Sequence, residues 1–388
     1  MKKWKDTKIA LGTALVLCVM AMATGVACCY ALFGWHTQSV QTKLREIDAI
    51  AAEKYVGDFD AEKVADYAAV GYVTGLDDKW SNYIPAEEYE AYQLSNEGKG
   101  CGIGVSVVTA DETIRVSLVY DGSPAQQAGM EKGDRILGAE GLTVEKDGAE
   151  AVIQAVQGEA GTEVRVTVQK AAAEKAEELT MTRAIVTQKM AWGEMLDGKV
   201  GYLRVENFHV GSAGQFQAAL DRLVEDGAKS LVLDVRHNGG GRVKEMSEML
   251  DPLLPEGTIM RLETKDGKET VYSSDAEMLD LPAVVLVDES SISAAEFFAA
   301  AMQEYGRATL VGAHTTGKGR AQQTYRLSDG SALNLSVEQY YTPQGRNLAG
   351  VGVAPEVETA LSDEQKADFF FLTPENDPQL QKALEILA

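Results

Sequence analysis

The sequence predicts a multidomain α/β (α+β) protein, with a central β-sheet and flanking helices, an inserted β-rich module and an N-terminal transmembrane helix. Three observations predict this architecture. The stretch 9–35 has no charged residue, the stretch 99–172 is rich in glycine and valine, and from about residue 199 apolar strands alternate with helical patterns. The expected divisions are an anchor at 1–35, a helical segment at 36–98, the module at 99–172 and the core at 173–388.

The N-terminus has the form of a membrane anchor. Four lysines precede an uncharged run that is long enough to span a bilayer as a helix, and such lysines mark the cytoplasmic side. Two other interpretations are a signal peptide with a small-residue cleavage site at 21–23 and a lipidated Cys28. All three place the rest of the chain outside the cytoplasm. The retained anchor predicts a single-pass protein of the cell membrane with its core on the extracytoplasmic side.

Composition limits the partners and the chemistry. The formal net charge is −23, and such a surface repels nucleic acid, so no nucleic-acid partner is expected. Hydrophobic residues make up 45% and charged residues 24% of the chain, as in ordinary globular proteins. Three of the four cysteines lie in the uncharged run, which leaves only Cys101 in the exported part. No cysteine and histidine spacing is typical of zinc, so neither a metal nor another cofactor is expected.

Hydrophobic periodicity predicts the individual elements. Helical spacing predicts helices over most of 38–95. In the module, strands are predicted at 100–108, 113–120 and 164–168, with a short helix at 149–156. The chain has no low-complexity linker, and 171–178 is the nearest candidate for one. In the core, the predicted strands are 200–205, 230–235, 282–287 and 308–311, and the predicted helices are 213–225, 243–254, 293–305 and 380–387. The continuously apolar strand 230–235 is expected to be covered on both faces, and a hairpin is expected near 328–331.

The module opens with the glycine loop Gly102, Ile103, Gly104 and Val105. Glycines allow successive N–H groups to point inward together, and such a nest binds a carboxylate. An extended peptide could then add to the neighbouring strand edge and bury its last side chain. The alternative is a β-bulge or a tight turn without a ligand.

Ser293 lies at a strand-to-helix turn after the apolar run 282–287. Such a turn can expose a nucleophile, and the helix N-terminus stabilises negative charge nearby. The alternative is a capping box, because Ser293 is followed three residues later by Glu296. Ser290 and Ser291 are rival nucleophiles that local chemistry does not exclude.

Lys318 is the candidate general base. The preceding residues resemble a phosphate-binding loop, but Gly319 stands where serine or threonine should bind magnesium, and the residues that follow look extended rather than helical. A lysine in an apolar site loses its proton more readily, so Lys318 could accept the proton of Ser293. Gln322 could orient the amine.

A second glycine loop follows the strand 230–235. Gly240 and Gly241 allow their N–H groups to approach a ligand, and with the N–H of Ala294 they could form an oxyanion hole. The alternatives are a flexible loop or a phosphate nest. A Ser-His-Asp triad using His237 or His314 is conceivable, but no Gly-x-Ser-x-Gly elbow supports it, and a structural histidine is favoured.

The motifs also resemble known families. Asp-Gly-Ser-Pro-Ala-Gln-Gln-Ala-Gly-Met at 121–130 and Gly-Asp-Arg-Ile-Leu at 133–137 resemble a PDZ domain of the bacterial protease type, over about 99–170. The segment 75–89, the strand-end glycine motif at 234–241 and the closing motifs at 342–346 and 350–355 resemble those of the C-terminal processing peptidases, over about 40–388. Gly239, Ile292, Ala295 and Thr316 depart from the usual pattern of that family.

This resemblance implies a serine endopeptidase with a PDZ domain. It assigns Ser293 as nucleophile, in preference to Ser290 and Ser291, with Lys318 as base and Gln322 as support. The PDZ glycine loop would hold the C-terminal tail of a substrate. The expected partners are protein or peptide substrates with apolar C-terminal tails, the membrane through the N-terminal helix, and further copies of the chain in a homo-oligomer. The alternatives are a non-catalytic peptide-binding scaffold and an esterase or acyl-transfer enzyme.

Overall fold

A computed structural model describes residues 38–110 and 113–388. The chain divides into two compact units, Met1–Ala69 and Val70–Ala388. The predicted anchor at 1–35 lies outside the described residues. Among the helices of the described ranges, none is both long enough and apolar enough to cross a bilayer.

Short elements precede the module. In chain order they are α1 (Gln38–Lys54), α2 (Ala61–Thr74), β1 (Asn82–Ile84), α3 (Ala86–Asn96) and β2 (Lys99–Gly102). Asp60 begins α2, because one of its carboxylate oxygens accepts hydrogen bonds from the amides of Glu62 and Lys63, both at 3.1 Å. Periodicity does not predict β1, which depends on pairing with a strand near the other end of the chain.

The β-rich module folds around an antiparallel sheet. Its elements are β3 (Val105–Ala110), β4 (Thr113–Val119), α4 (Pro124–Gln127), β5 (Arg135–Ala139), β6 (Leu142–Thr143), α5 (Val144–Val156), β7 (Glu163–Gln169) and β8 (Ala176–Thr182). The strand order is β3-β4-β5-β7-β8, with β6 paired to β5. Val164, Val166 and Val168 alternate along β7 and are fully buried in the module core, as their spacing predicts.

Two features of the module differ from the sequence prediction. The strand predicted at 100–108 is in fact two strands, because β2 pairs with β9 (Ala184–Thr187) whereas β3 pairs with β4. Gly104, with a φ of +81°, separates them. The sheet also continues beyond residue 172, since β8 pairs with β7 along its whole length, and 171–178 is therefore not a linker.

The core contains the remaining elements. They are β10 (Ala191–Leu196), β11 (Val200–Val205), α6 (Ser212–Glu225), β12 (Ser230–Asp234), α7 (Val243–Leu250), β13 (Gly257–Thr264), β14 (Glu269–Ser274), β15 (Ala283–Val287), α8 (Ala294–Glu304), β16 (Ala308–Gly312), β17 (Arg320–Arg326), β18 (Ala332–Tyr341), β19 (Val357–Glu358), α9 (Asp363–Ala367) and α10 (Pro378–Leu387). Short 3₁₀ turns occur at Asp197–Lys199, Asp251–Leu253 and Phe369–Phe371.

The central sheet has the order β10-β11-β12-β15-β16-β19 and is parallel except for β10. Every residue of β12 is buried, as its apolar run predicts. Leu231 and Leu233 belong to the large core that also contains side chains of α6, α7 and α8. Val232 instead packs in a cluster with Leu380 of α10, so helices cover both faces of the sheet.

A second sheet is built around the long strand β18. This strand pairs with β17 along one edge and with β1 and β13 along the other, and β14 pairs with β13. The hairpin formed by β17 and β18 matches the one predicted near 328–331. Pairing with β18 fixes residues 82–84, which precede the module in sequence, to the core.

Candidate active site

Two loops meet at the carboxyl edge of the central sheet. One follows β12 and contains the glycines 239–241, and the other follows β15 and leads into α8 at Ser293. Because β12 and β15 are neighbouring parallel strands, both loops leave the sheet at the same edge. The amide of Ile292 donates a hydrogen bond to the carbonyl of Asn238 at 2.9 Å, which ties the two loops together.

Gly240 lies directly against Ser293. A Cβ atom at Gly240 would be 2.8 Å from the carbonyl oxygen of Ile292, 2.9 Å from the Cβ of Ser293 and 3.2 Å from the amide nitrogen of Ala294. Its φ of +96° also favours glycine. The position therefore excludes any side chain.

The amides around this contact differ in their bonding. The N–H of Gly240 donates to the side-chain oxygen of Asn238 at 2.8 Å. The N–H groups of Gly241 and Ala294 donate to no group among the described residues. Ala294 is the first residue of α8, where an N–H has no partner within the helix. The structure thus places Gly240 and Ala294 against Ser293, whereas a Cβ atom at Gly241 would meet the backbone of Phe208 instead.

Ser293 is held in a strained and enclosed position. Its backbone has φ +58° and ψ −117°, which is unusual for a residue with a side chain, and only 5% of the residue is exposed. Its side chain lies near the phenol of Tyr340. Burial raises the pKa of that phenol, and the interaction with Ser293 opposes the rise.

The rival serines have different surroundings. Ser291 is fully buried, and its hydroxyl donates to the carbonyl of Val235 at 2.8 Å and accepts from the amide of Asp288 at 3.0 Å. The amide of Ser290 donates to the carboxylate of Asp288 at 2.9 Å. Ser290 and Ser291 thus belong to the turn before the helix, whereas Ser293 faces Gly240.

Glu296 joins the loop before α8, which contains Ser293, to the loop after β16, which contains Lys318 (the lysine loop, 313–319). Its side chain is fully buried, and one oxygen, Oε2, accepts hydrogen bonds from the amides of both Ser293 and Lys318, each at 2.8 Å. The other oxygen, Oε1, accepts from the amide of Gly317 at 2.7 Å and the hydroxyl of Thr315 at 2.6 Å. The hydrogen bond from the Ser293 amide to the Glu296 side chain, which a capping box predicts, is therefore present. The same carboxylate also holds the backbone of 317–318.

Lys318 has a polar partner and an aromatic neighbour. Its Nζ donates to Oε1 of Gln322 at 2.6 Å and lies 4.8 Å from the centre of the Trp80 ring. Burial lowers the pKa of the Lys318 amine, against the opposing effects of the Asp78 and Glu296 carboxylates. The amide nitrogen of Gln322 donates to the carbonyl of Trp80, which leaves the oxygen of Gln322 facing the amine. Among the described residues, Ser293 and Lys318 share no direct side-chain hydrogen bond.

The backbone after Lys318 is that of a strand. Residues 320–326 form β17, where a phosphate-binding loop would continue as a helix. A Cβ atom at Gly319 would be 2.3 Å from the amide nitrogen of Ala349, so the serine or threonine of such a loop does not fit there. Within the described ranges, no group of three or more His, Cys, Asp or Glu side chains is placed to hold a metal ion.

The glycine loop of the module borders a cavity of about 450 Å³. The cavity lies between the loop, β3 and α5, and its wall includes Gly102, Ile103, Gly104, Val105, Val152 and Val156. The N–H groups of Ile103 and Gly104 donate to no group among the described residues, whereas their carbonyls accept from Ala125 and Tyr120 at 2.9 and 3.0 Å. The loop therefore presents donors to an apolar groove.

Sequence comparisons place this arrangement in a family. Residues 199–359 match Peptidase family S41, and residues 115–170 match the PDZ domain. A probable CtpA-like serine protease of Staphylococcus aureus is 30% identical over 92% of this chain and 73% of its own length. A carboxyl-terminal-processing protease of Synechocystis is 30% identical over 86% of this chain and 80% of its own length. This chain belongs to peptidase family S41.

Solved structures agree with that assignment. The photosystem II D1 C-terminal processing protease matches with a TM-score of 0.50 and 27% identity, over 82% of this chain and 86% of the other. A putative S41 protease from Bacteroides fragilis matches with a TM-score of 0.58 and 20% identity, over 86% and 92% of the two chains, which shows a shared fold. The protein is thus a serine-type S41 peptidase with a PDZ domain and a mixed α/β protease fold.

His237 comes shortly before Gly240 and Gly241 in sequence, but its side chain packs against other residues than Ser293. Its ring stacks on Phe369, with 4.0 Å between ring centres, and its Nδ1 lies against the carboxylate of Asp288. The other candidate, His314, is exposed, and its Nδ1 lies 3.0 Å from the carbonyl oxygen of Thr315. Neither makes a hydrogen bond to Ser293 among the described residues.

Three neighbours of the S41 site were not predicted from the sequence. Trp80 lies in a segment that carries the family resemblance, the sequence predicts Glu296 only as a cap, and no motif contains Tyr340. The spacing of Ser293 and Glu296 indicated the cap bond, but the bonds of Glu296 to 315–318 join distant parts of the chain. Trp80 and Tyr340 likewise reach the site only through tertiary contacts.

Proposed function

We propose that this S41 peptidase is a membrane-anchored, extracytoplasmic endopeptidase that binds C-terminal tails in its PDZ groove and cleaves peptide bonds with Ser293, Lys318 and Gln322. The observation that carries the catalytic assignment is the Glu296 carboxylate, one oxygen of which accepts from the amides of both Ser293 and Lys318. The direct test is cleavage of a protein substrate by the Ser293→Ala and Lys318→Ala variants.

The proposed chemistry is acyl transfer without a cofactor. The neutral amine of Lys318 takes the hydroxyl proton of Ser293 while Oγ attacks the substrate carbonyl. The tetrahedral intermediate collapses, the C–N bond breaks, and the protonated Lys318 gives its proton to the departing amine. Water then attacks the acyl-enzyme with Lys318 again as base, which releases the acid and restores Ser293. The lowered pKa of Lys318 supports this role, because it increases the neutral fraction of the amine.

The oxyanion would be bound by backbone N–H groups. The N–H of Ala294 is free, lies at the N-terminus of α8 and is next to Gly240. Among the described residues the N–H of Gly241 has no acceptor either, while that of Gly240 would have to leave the oxygen of Asn238. Fixed donors aimed at a developing negative charge commonly make a large contribution to catalysis.

The described arrangement corresponds to a resting site. Ser293 is enclosed near Tyr340, and Nζ of Lys318 donates to Gln322. Catalytic hydrogen bonds are often formed only in the substrate complex. Substrate binding would therefore bring the Ser293 hydroxyl and the Lys318 amine together.

Recognition of the tail would rest on its free carboxylate. We expect a peptide with an apolar C-terminal residue and a free carboxylate to bind the Ser293→Ala protein at least about tenfold more tightly than the same peptide with a C-terminal amide, because the N–H groups of 103–104 make charge-assisted bonds only to the acid. Fluorescence anisotropy with labelled peptides measures both affinities. A third peptide with a C-terminal aspartate controls for the apolar pocket, and equal affinity for acid and amide would contradict the assignment.

The membrane anchor would be the uncharged run 9–35 behind the lysines. We expect the full chain to remain with the membrane after alkaline carbonate extraction, and its core to be digested by a protease added outside intact cells. Release of the chain into the supernatant would contradict a retained anchor, and a core protected from external protease would contradict the extracytoplasmic location.

A further inference from the structure

Trp80 makes two separate contacts with the lysine side of the site. Its backbone carbonyl accepts the amide N–H of Gln322, and its ring lies 4.8 Å from Nζ of Lys318. Trp80 precedes the PDZ domain, and Lys318 and Gln322 follow it, so more than half of the chain separates these two residues from Trp80. Trp80 itself is half-buried, and its ring lies beside the Lys318 amine.

The turn that contains Trp80 is fixed to the core. A carboxylate oxygen of Asp78 accepts from the amide of Trp80 at 3.3 Å, and the other accepts from the hydroxyl of Ser81 at 2.7 Å. The hydroxyl of Ser81 in turn accepts from the amide of Ser336 on β18 at 3.0 Å. Since β18 also pairs with β17, which carries Gln322, the turn and Gln322 are held by the same strand.

We propose that Trp80 is a positioning residue for the base: its carbonyl fixes which end of the Gln322 amide faces Lys318, and its ring keeps water away from the Lys318 amine. This inference rests on the proposed function, since it assigns Lys318 as the base. The effects of the Trp80 ring on Lys318 and of its carbonyl on Gln322 do not depend on whether Ser293 is the nucleophile.

The ring has two opposing effects on the amine. An aromatic face attracts an ammonium ion and favours the charged form, whereas exclusion of water favours the neutral form. The charged groups around Lys318 are the carboxylates of Asp78 and Glu296, the guanidinium of Arg320, which pairs with Asp78, and the ammonium of Lys79, 4.6 Å from the centre of the Trp80 ring. Burial is the largest influence on the Lys318 amine and lowers its pKa. We therefore expect exclusion of water by the ring to outweigh its attraction for the ammonium ion.

The first test measures the titration of Lys318 without catalysis. In the full chain carrying Ser293→Ala, the rate at which cyanate modifies Lys318 is followed against pH by mass spectrometry of the peptide. Trp80→Ala should raise the midpoint of this titration, and Trp80→Phe should raise it less because an aromatic wall remains. An unchanged or lowered midpoint in Trp80→Ala would overturn the proposal. If Trp80→Ala fails to fold, the comparison of Trp80→Phe with Trp80→Leu decides in the same way.

Trp192→Ala is the matched control. Trp192 is a second tryptophan with a lysine beside it, since Nζ of Lys189 lies 5.8 Å from its ring centre, and it has no contact with Lys318. This variant should leave the titration of Lys318 unchanged. A shift as large as that of Trp80→Ala would mean a general loss of structure and would overturn the assignment to Trp80.

The second test separates positioning from binding in the catalytic reaction. With Ser293 present, Trp80→Ala should lower kcat by about tenfold near neutral pH, with KM changed less than about threefold, and should move the acid limb of the kcat profile to higher pH. A loss confined to KM would overturn the positioning role. If Ser293→Ala itself still cleaved the substrate, the proposed function would fail, yet the cyanate titration would still decide the role of Trp80.

Discussion

Replacing Ser293 with alanine should lower kcat/KM for peptide-bond cleavage by about 10⁴-fold or more, because the attacking oxygen is lost and no neighbouring hydroxyl has the same placement. The hydroxyl of Ser291 is already hydrogen-bonded to the carbonyl of Val235 and the amide of Asp288. Gly240 lies against Ser293 and not against Ser291. The measurement is the rate of appearance of new N-termini from a protein substrate with an apolar C-terminal tail, with the purified full chain. Lys318→Ala should have a loss of comparable size, since no other described side chain replaces its amine.

Ser290→Ala is the control for this experiment. Ser290 is three residues from Ser293 in the same turn, but its recorded hydrogen bond to Asp288 is made by the backbone amide, which the substitution keeps. We expect its activity to stay within about twofold of the parent protein, as for a substitution away from the chemistry. Full cleavage by the Ser293→Ala or Lys318→Ala protein would refute the serine–lysine assignment. Loss of activity in Ser290→Ala alone would identify Ser290, rather than Ser293, as the nucleophile.

Replacing Glu296 with glutamine should lower kcat by about 100-fold and the free energy of unfolding by about 2–4 kcal/mol. Four donors converge on the carboxylate, two on each oxygen, and the amide NH₂ of glutamine cannot accept from any of them. If the NH₂ replaces Oε2, the N–H groups of Ser293 and Lys318 lose their acceptor. If it replaces Oε1, the N–H of Gly317 loses its acceptor. The two loops would separate, which misaligns Ser293 and Lys318. Urea unfolding and steady-state kinetics measure the two effects.

Glu304→Gln separates the loss of alignment from a simple loss of stability. Glu304 lies on the same helix, its side chain is also almost fully buried, and it accepts from the hydroxyl of Thr342, the amide of Gln344 and Nε of Arg346 at 2.6–2.8 Å. It should therefore cost a similar free energy of unfolding while kcat stays within about twofold. Equal losses of kcat in the two variants would mean that Glu296 acts only through overall stability.

Much of the architecture follows from local chemistry in the sequence. The five buried residues of β12 are continuously apolar apart from its ends, which predicts a strand covered on both faces wherever it lies. The alternation of Val164, Val166 and Val168 gives β7 in the same way. Glycines at 240 and 241 and a serine before a helix mark the carboxyl edge of a parallel sheet. These signals are short in range, and each is visible in a handful of neighbouring residues.

Other elements could not be found in this way because their cause lies elsewhere in the chain. The strand β1 exists through pairing with β18, and the break between β2 and β3 follows from their different partners, β9 and β4. The resemblance to a family chose Ser293 among three serines, while the local pattern alone favoured a helix cap. The helix cap is present as well, since the Glu296 carboxylate accepts from the amide of Ser293 at the start of α8 and also from the amide of Lys318.

The sequence by itself determined the residue types that the proposed chemistry needs: a serine at a helix start, a lysine in a glycine turn and a glutamine four residues later. It also determined the family, through motifs that are local in the chain. Only the tertiary structure decided how these groups are held. A buried carboxylate must satisfy its hydrogen bonds from whichever donors surround it, and for Glu296 these come from 293 and from 315–318. The Trp80 ring reaches Lys318 from more than two hundred residues away, because the neighbouring strand β1 pairs with β18.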